Sequence, residues 1–163
     1  MGSMNTFESL GDNKFMQEAV KASLDGILIV DMPPEESSNF SIEAEKVGVD
    51  IIRLIAPTTS SSRAKKICYQ CSGYVYYISV KGITGASNIN AEEVKAKVSE
   101  LRSHTDLPIA IGFGIKDSAS ASSIKDVADG VVVGSVFVDL IGEGGNIIEK
   151  VESKTKELSE ELS

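Results

Sequence analysis

At 163 residues, 42% hydrophobic and 25% charged, the chain has the size and composition of one soluble globular domain with a core of its own. Its net charge of −8 disfavours a surface for nucleic acid or an anionic membrane, and no apolar run reaches the length of a bilayer span. A phosphorylated metabolite stays compatible with that charge, because a local nest of backbone N–H groups overcomes a distant negative surface.

The opening Met1-Gly2-Ser3-Met4 reads as an artificial start, and no signal peptide is visible. Asn13–Ala22 has helical periodicity. It precedes the first of five segments that read as buried parallel strands: Gly26–Val30, Ile51–Ala56, Tyr74–Ser79, Pro108–Ile111 and Gly130–Val133. Continuous Ile, Val and Leu character, rather than strict alternation, marks strands covered on both faces. Pro33-Pro34-Glu35-Glu36-Ser37 halts the first strand, and its carboxylates favour the N-terminus of a helix predicted over Ser37–Val47. Gly48 and Gly73 stand where helix C-caps belong. Thr58–Ser62 is a loop and N-cap for a helix over Ser60–Cys71.

That helix carries Cys68-Tyr69-Gln70-Cys71. A zinc site needs two more ligands, and His104 is the only histidine, so the thiols read as free packing residues of a cytosolic protein. Further helices are predicted over Asn90–Ser103, with Glu92 and Glu93 in the first turn, over Ser118–Val127, and from about Asn146 to Leu162. The run Ser118–Ser123 is a weak helix start. Strand follows helix five times without a lapse, the pattern of βα units in a parallel sheet with no internal domain boundary.

Glycine recurs just past the strand ends, in Gly112-Phe113-Gly114 and Gly134-Ser135, with Gly82-Ile83-Thr84-Gly85 beside them. Strand ends that stop on glycine bring backbone N–H groups close to a ligand, and two such ends, the second leading into a helix, suit a phosphate. Asp31 also lies at a strand's C-terminal end, where barrel catalysts sit, although capping the turn into Pro33-Pro34 is the plainer role. His104 precedes a strand at the opposite end and reads as a solvent or turn residue. Arg63, Lys65 and Lys66 fall on one helix as a solvated face.

From Asp25 onward the chain resembles the tryptophan synthase α subunit. The matching pieces, in order, are Asp31-Met32-Pro33-Pro34-Glu35-Glu36, Leu54-Ile55-Ala56-Pro57-Thr58-Thr59, Tyr74-Val75-Tyr76-Tyr77-Ile78-Ser79, Gly82-Ile83-Thr84-Gly85-Ala86, Gly112-Phe113-Gly114-Ile115 and Gly134-Ser135. The resemblance implies a partial (βα)8 TIM barrel, in which these five strands match the fourth to eighth, the first three being absent. Asn5-Thr6-Phe7 looks like the loop after the third barrel strand. The family's reaction is cleavage of indole-3-glycerol phosphate to indole and glyceraldehyde 3-phosphate, with neither cofactor nor metal expected.

Carried over by that resemblance, Gly85, Gly114, Gly134 and Ser135, with backbone from Phe113, match the phosphate cradle. Leu28, Ile55, Tyr76, Thr84, Phe113 and Val132 match the walls of the indole pocket; Tyr74 and Tyr77 read as packing residues. The catalytic glutamate and its aspartate partner belong to the second strand and the loop after it, which have no counterpart here. A phosphate-binding half-site with little or no lyase activity is therefore expected; a non-catalytic half-barrel folding unit, or another phosphate-barrel enzyme with Asp31 as base, are the alternatives.

Five barrel strands leave two open edges, expected here at Gly26–Val30 and Gly130–Val133. Self-association as a homodimer or larger assembly is expected to cover them. The alternative is a rearranged, flavodoxin-like open sheet. Several loops on the β-subunit side belong to the absent part, which weighs against engagement of that subunit.

Overall fold

The computed structural model describes residues 1–79, 91–112 and 114–162. Five strands, β1 (Gly26–Leu28), β2 (Asp50–Ile55), β3 (Val75–Ile78), β4 (Ile109–Gly112) and β5 (Gly130–Val132), form one sheet in the order β1-β2-β3-β4-β5. Every pair is parallel. Each strand adds beside its predecessor, so the sheet is singly wound and curls as a half-barrel. A flavodoxin-like sheet reverses direction at a switch point, and no reversal occurs here.

Alternation sorts the strand side chains onto two faces. Ile55, Val75, Tyr77, Ile109 and Ile111 pack outward against apolar residues of α4 (Ser61–Tyr69), α5 (Ala91–Arg102) and α8 (Ile147–Leu162), including Ile67, Val98 and Leu158. The opposite, concave face carries Leu28, Ile52 and Tyr76, all buried, with Leu54, Ile78 and Ala110 around them. The curl of the sheet lets these residues cover one another.

Strand and helix positions agree with the predicted ones to within a few residues at most ends. The N-terminus differs. Residues expected as a loop form a five-residue helix, α1 (Met4–Glu8), ahead of α2 (Asp12–Lys21). So short a helix is unstable alone. It is held by Phe7, buried edge-on to Phe15 at 4.5 Å and to Phe40 at 5.9 Å, and by the Asp31 carboxylate, which accepts the Met4 N–H at 2.7 Å. Asp31 thus caps α1 rather than the Pro33-Pro34 turn.

The two sheet edges are unequal, where both were expected to be open. Gly2 bridges to Ile29 in parallel: its N–H donates to the Leu28 carbonyl at 2.9 Å, and Val30 N–H donates to the Gly2 carbonyl at 3.0 Å. One residue therefore stands in for a strand beside β1. Among the described residues nothing pairs with the outer edge of β5.

Elsewhere, Pro34–Glu36 form a single 3-10 turn before α3 (Ser38–Lys46). Gly48 ends α3 at φ +73°, where Gly48 N–H donates to Glu45 and Val49 N–H to Ala44, the paired bonds of a Schellman cap. The Ser/Ala-rich helix α6 (Ser118–Ser122) stops short of Val127, where it was expected to end. Its start is fixed by reciprocal bonds between Asp117 and Ser120.

Candidate active site

Register places the two glycine-ended strands side by side. Gly112 of β4 pairs with Val132 of β5, so Gly114 and Gly134 each lie two residues beyond the same rung. Gly114 takes φ +81°, a conformation glycine adopts freely. Gly134 is the N-cap of α7 (Ser135–Gly142), and its carbonyl accepts from Phe137 and Val138. The N–H groups of Ser135 and Val136 belong to the unpaired first turn of that helix, and no side chain caps them. Around Gly134 a Cβ would meet nothing within 4 Å, so the approach is open. Backbone donors at a helix N-terminus with open space in front of them suit a dianion.

On the concave face, Leu28 and Tyr76 share one buried cluster, and Val132, which alternation turns to the same side, is 36% exposed. Ile55 lies elsewhere. It is fully buried on the helix-facing side, because it pairs with Tyr77 while its neighbour Leu54 pairs with Tyr76. The structure therefore brings Leu28, Tyr76 and Val132 onto one face and separates Ile55 from them. Thr84, Gly85 and Phe113 lie outside the described residues.

Gly112 has a different task from the one its sequence position suggests. A Cβ there would collide with the Oη, Cε2 and Cζ atoms of Tyr76, so the glycine makes room for that ring. The Gly112 carbonyl meanwhile accepts from both the N–H and the hydroxyl of Ser79, each at 3.0 Å. Burial pushes the Tyr76 phenol above its ordinary pKa, and the nearby Tyr74 adds to this.

Among the described side chains the buried polar residues are Ser37, Arg53 and Ser79, and no carboxylate residue is buried with them. Cys68 is buried in the outer cluster. Cys71 donates its S–H to the Tyr74 carbonyl at 3.0 Å, and burial pushes its pKa up to about 12, so both thiols are packing groups. His104 is less exposed than a turn residue need be: its ring lies 3.2 Å from the Ser61 hydroxyl and joins the turn after α5 to α4.

Arg53 escaped the sequence reading. The available signal was a lone arginine in Ile51-Ile52-Arg53-Leu54-Ile55, a run otherwise fit for a core. It points outward from β2 and its Nη2 donates to the Ser37 and Ser41 hydroxyls.

The sequence profile of the family described as "Tryptophan synthase alpha chain" matches residues 1–163. The chain is 42% identical over 164 aligned residues to the tryptophan synthase alpha chain of Polynucleobacter asymbioticus, covering 99% of this chain and 62% of the relative. It is 47% identical over 143 residues to that of Thioalkalivibrio sulfidiphilus, covering 88% and 54% respectively. Among solved structures, a chain from Aquifex aeolicus superposes with a TM-score of 0.86 at 34% identity, covering 98% of this chain and 59% of that one. The tryptophan synthase A-subunit of Pyrococcus furiosus gives 0.83 at 32% identity, covering 96% and 63%. The chain thus spans about three-fifths of the length of these proteins at most.

Proposed function

The chain belongs to the tryptophan synthase alpha chain family, whose reaction is the cleavage of indole-3-glycerol phosphate in tryptophan biosynthesis, and from that premise we propose that these five βα units carry the phosphate-binding half of the lyase site. The observation that carries this reading is the matched pair of strand ends, Gly114 and Gly134, with the open first turn of α7 between them and solvent. Phosphate oxygens would accept from the Ser135 and Val136 N–H groups, with the helix dipole adding its positive end. Tyr76 and Leu28 would offer the apolar wall against which a flat indole packs.

Retro-aldol cleavage needs one proton delivered to indole C3 while the glycerol hydroxyl gives one up. The carboxylates that perform this in the family lie on strands without counterpart among these residues, and among the described side chains no carboxylate residue is buried. Loss of acid–base groups costs on the order of 10²–10⁴-fold each. On this reading the chain alone binds the phosphate moiety and turns over little, in the cytosol where its thiols stay reduced. Titrating the full chain with glycerol phosphate while following the Gly114, Ser135 and Val136 amides tests it. Saturable movement confined to those amides supports the seat, and amides that stay in place refute it.

The same reading includes self-association through the β5 margin, with a second copy of this chain as the occupant. That margin offers unpaired backbone groups, and α7 beside it buries none of its residues, with Val138 67% and Ile141 52% exposed. The β1 margin is already engaged by Gly2, so pairing β5 with β5 in an isologous dimer displaces nothing. Light scattering at low micromolar concentration decides the matter, and a clean monomer ends the dimer.

A further inference from the structure

We propose that the cleft at the C-terminal end of β1 and β2 is a second anion site, one that takes a small oxyanion carried on an apolar body and holds it on Arg53. The chain has three arginines. Arg63 faces Glu35 at 3.2 Å and Arg102 faces Asp129 at 3.0 Å, both near the surface. Arg53 is 5% exposed, and no carboxylate whose side chain is described bears on its guanidinium. Its Nη2 has two neutral hydroxyls, Ser37 and Ser41, and its Nε is buried with no partner at all. A buried guanidinium with an idle N–H is an expensive arrangement, which an anion relieves by supplying both charge and acceptor.

The space for that anion adjoins it. A cleft of about 410 Å³ has Arg53, Arg63 and Thr59 on its polar side and Met32, Pro33 and Ile67 on its apolar side. That volume suits one small ligand. Asp31 also lines the cleft, as one carboxylate against the two guanidinium groups of Arg53 and Arg63, so the lining carries more positive charge than negative. A positively lined cleft is the exception on a chain of net charge −8. Carboxylate and phosphate share the required chemistry, and the apolar wall calls for more than a bare ion. The site is independent of the Gly114–Gly134 seat, since it lies on other strands and uses side-chain rather than backbone donors.

The test follows the arginine side-chain N–H resonances of the full chain during separate titrations with inorganic phosphate and with benzoate. Arg63→Gln and Arg102→Lys, both at exposed positions, remove their own signals and so identify Arg53 without altering it. The expected result is saturable movement of the Arg53 Nε–H with at least one probe, with apparent affinity weakened about two- to fivefold by Arg63→Gln. Tighter saturation by benzoate identifies a carboxylate ligand, and by phosphate a phosphate ligand. An Arg53 signal that stays in place while the Ser135 amide moves overturns this proposal and leaves the glycine seat standing. Movement of Arg53 with a still Ser135 does the reverse. Unsaturating drift of all three arginines together reports ionic screening only and also overturns it.

Discussion

The Tyr76 ring lies across Gly112 so closely that its hydroxyl and two ring carbons occupy the place where a Cβ would project. Two neighbouring strands, β3 and β4, are thereby matched as bulk against absence. Gly112→Ala is expected to destabilise the fold by about 1–3 kcal/mol, the range for overpacking a filled interior. In Gly112→Ala combined with Tyr76→Ala the two losses should add to less than their sum, because the collision disappears with the ring. Urea unfolding of the four proteins measures this. Full additivity would mean that the ring moves aside at no cost.

Gly134→Ala makes the contrasting prediction. A Cβ there meets nothing within 4 Å and the residue's φ is −130°, so stability should change by no more than about 0.5 kcal/mol. The added methyl would stand in the proposed phosphate seat, and glycerol phosphate affinity should fall several-fold. Calorimetric titration beside a thermal melt separates the two effects. A variant that binds as well as the parent removes Gly134 from the seat.

Asp129 predicts acid sensitivity. Its Oδ2 accepts the Ile109 N–H at 2.8 Å and the Arg102 guanidinium at 3.0 Å, joining β4, α5 and the entry to β5. The Ile109 bond, and after it Arg102, hold its carboxyl below the ordinary aspartate range, and partial burial opposes them. With the folded pKa depressed, the stabilisation is present above the unfolded value and is lost as pH falls through the lower folded one. Asp129→Asn should cost about 1 kcal/mol at neutral pH, discounted for exposure, and the gap from the parent should close on acidification. Denaturant midpoints at neutral and acid pH read it, and a gap independent of pH would contradict it.

Phe7→Ala should cost about 3 kcal/mol, since the ring is 5% exposed and anchors a helix too short to stand alone. Loss of α1 also releases Gly2 from β1, so this variant should self-associate more strongly than the parent. Sedimentation velocity of the two at equal concentration tests the link. Equal behaviour would show that the Gly2 bridge does not guard that margin.

The strands were legible because Ile and Val runs between polar, helix-period stretches leave little else for the chain to do, as Ile109–Gly112 and Val75–Ile78 show. The schedule of glycines at strand ends was legible too, and the register sets Gly114 and Gly134 each two residues past one rung. Helix α1 was hidden because its formation depends on Phe15 and Phe40, and tertiary contacts leave no mark on Asn5-Thr6-Phe7. The facing of Ile55 was hidden for a simpler reason: in a strand covered on both sides, apolar character does not tell one face from the other. Arg53 was visible in the sequence, but only burial and the count of its partners give it meaning.

The uninterrupted run of strands, each laid beside the one before it, also bears on how the molecule is made. No stave of this sheet waits for a distant stretch of chain, so ordering can advance unit by unit with small loops to close. A fault in one unit then stalls those beyond it and spares those already set. Proteolysis of arrested intermediates should accordingly release nested fragments that share one end.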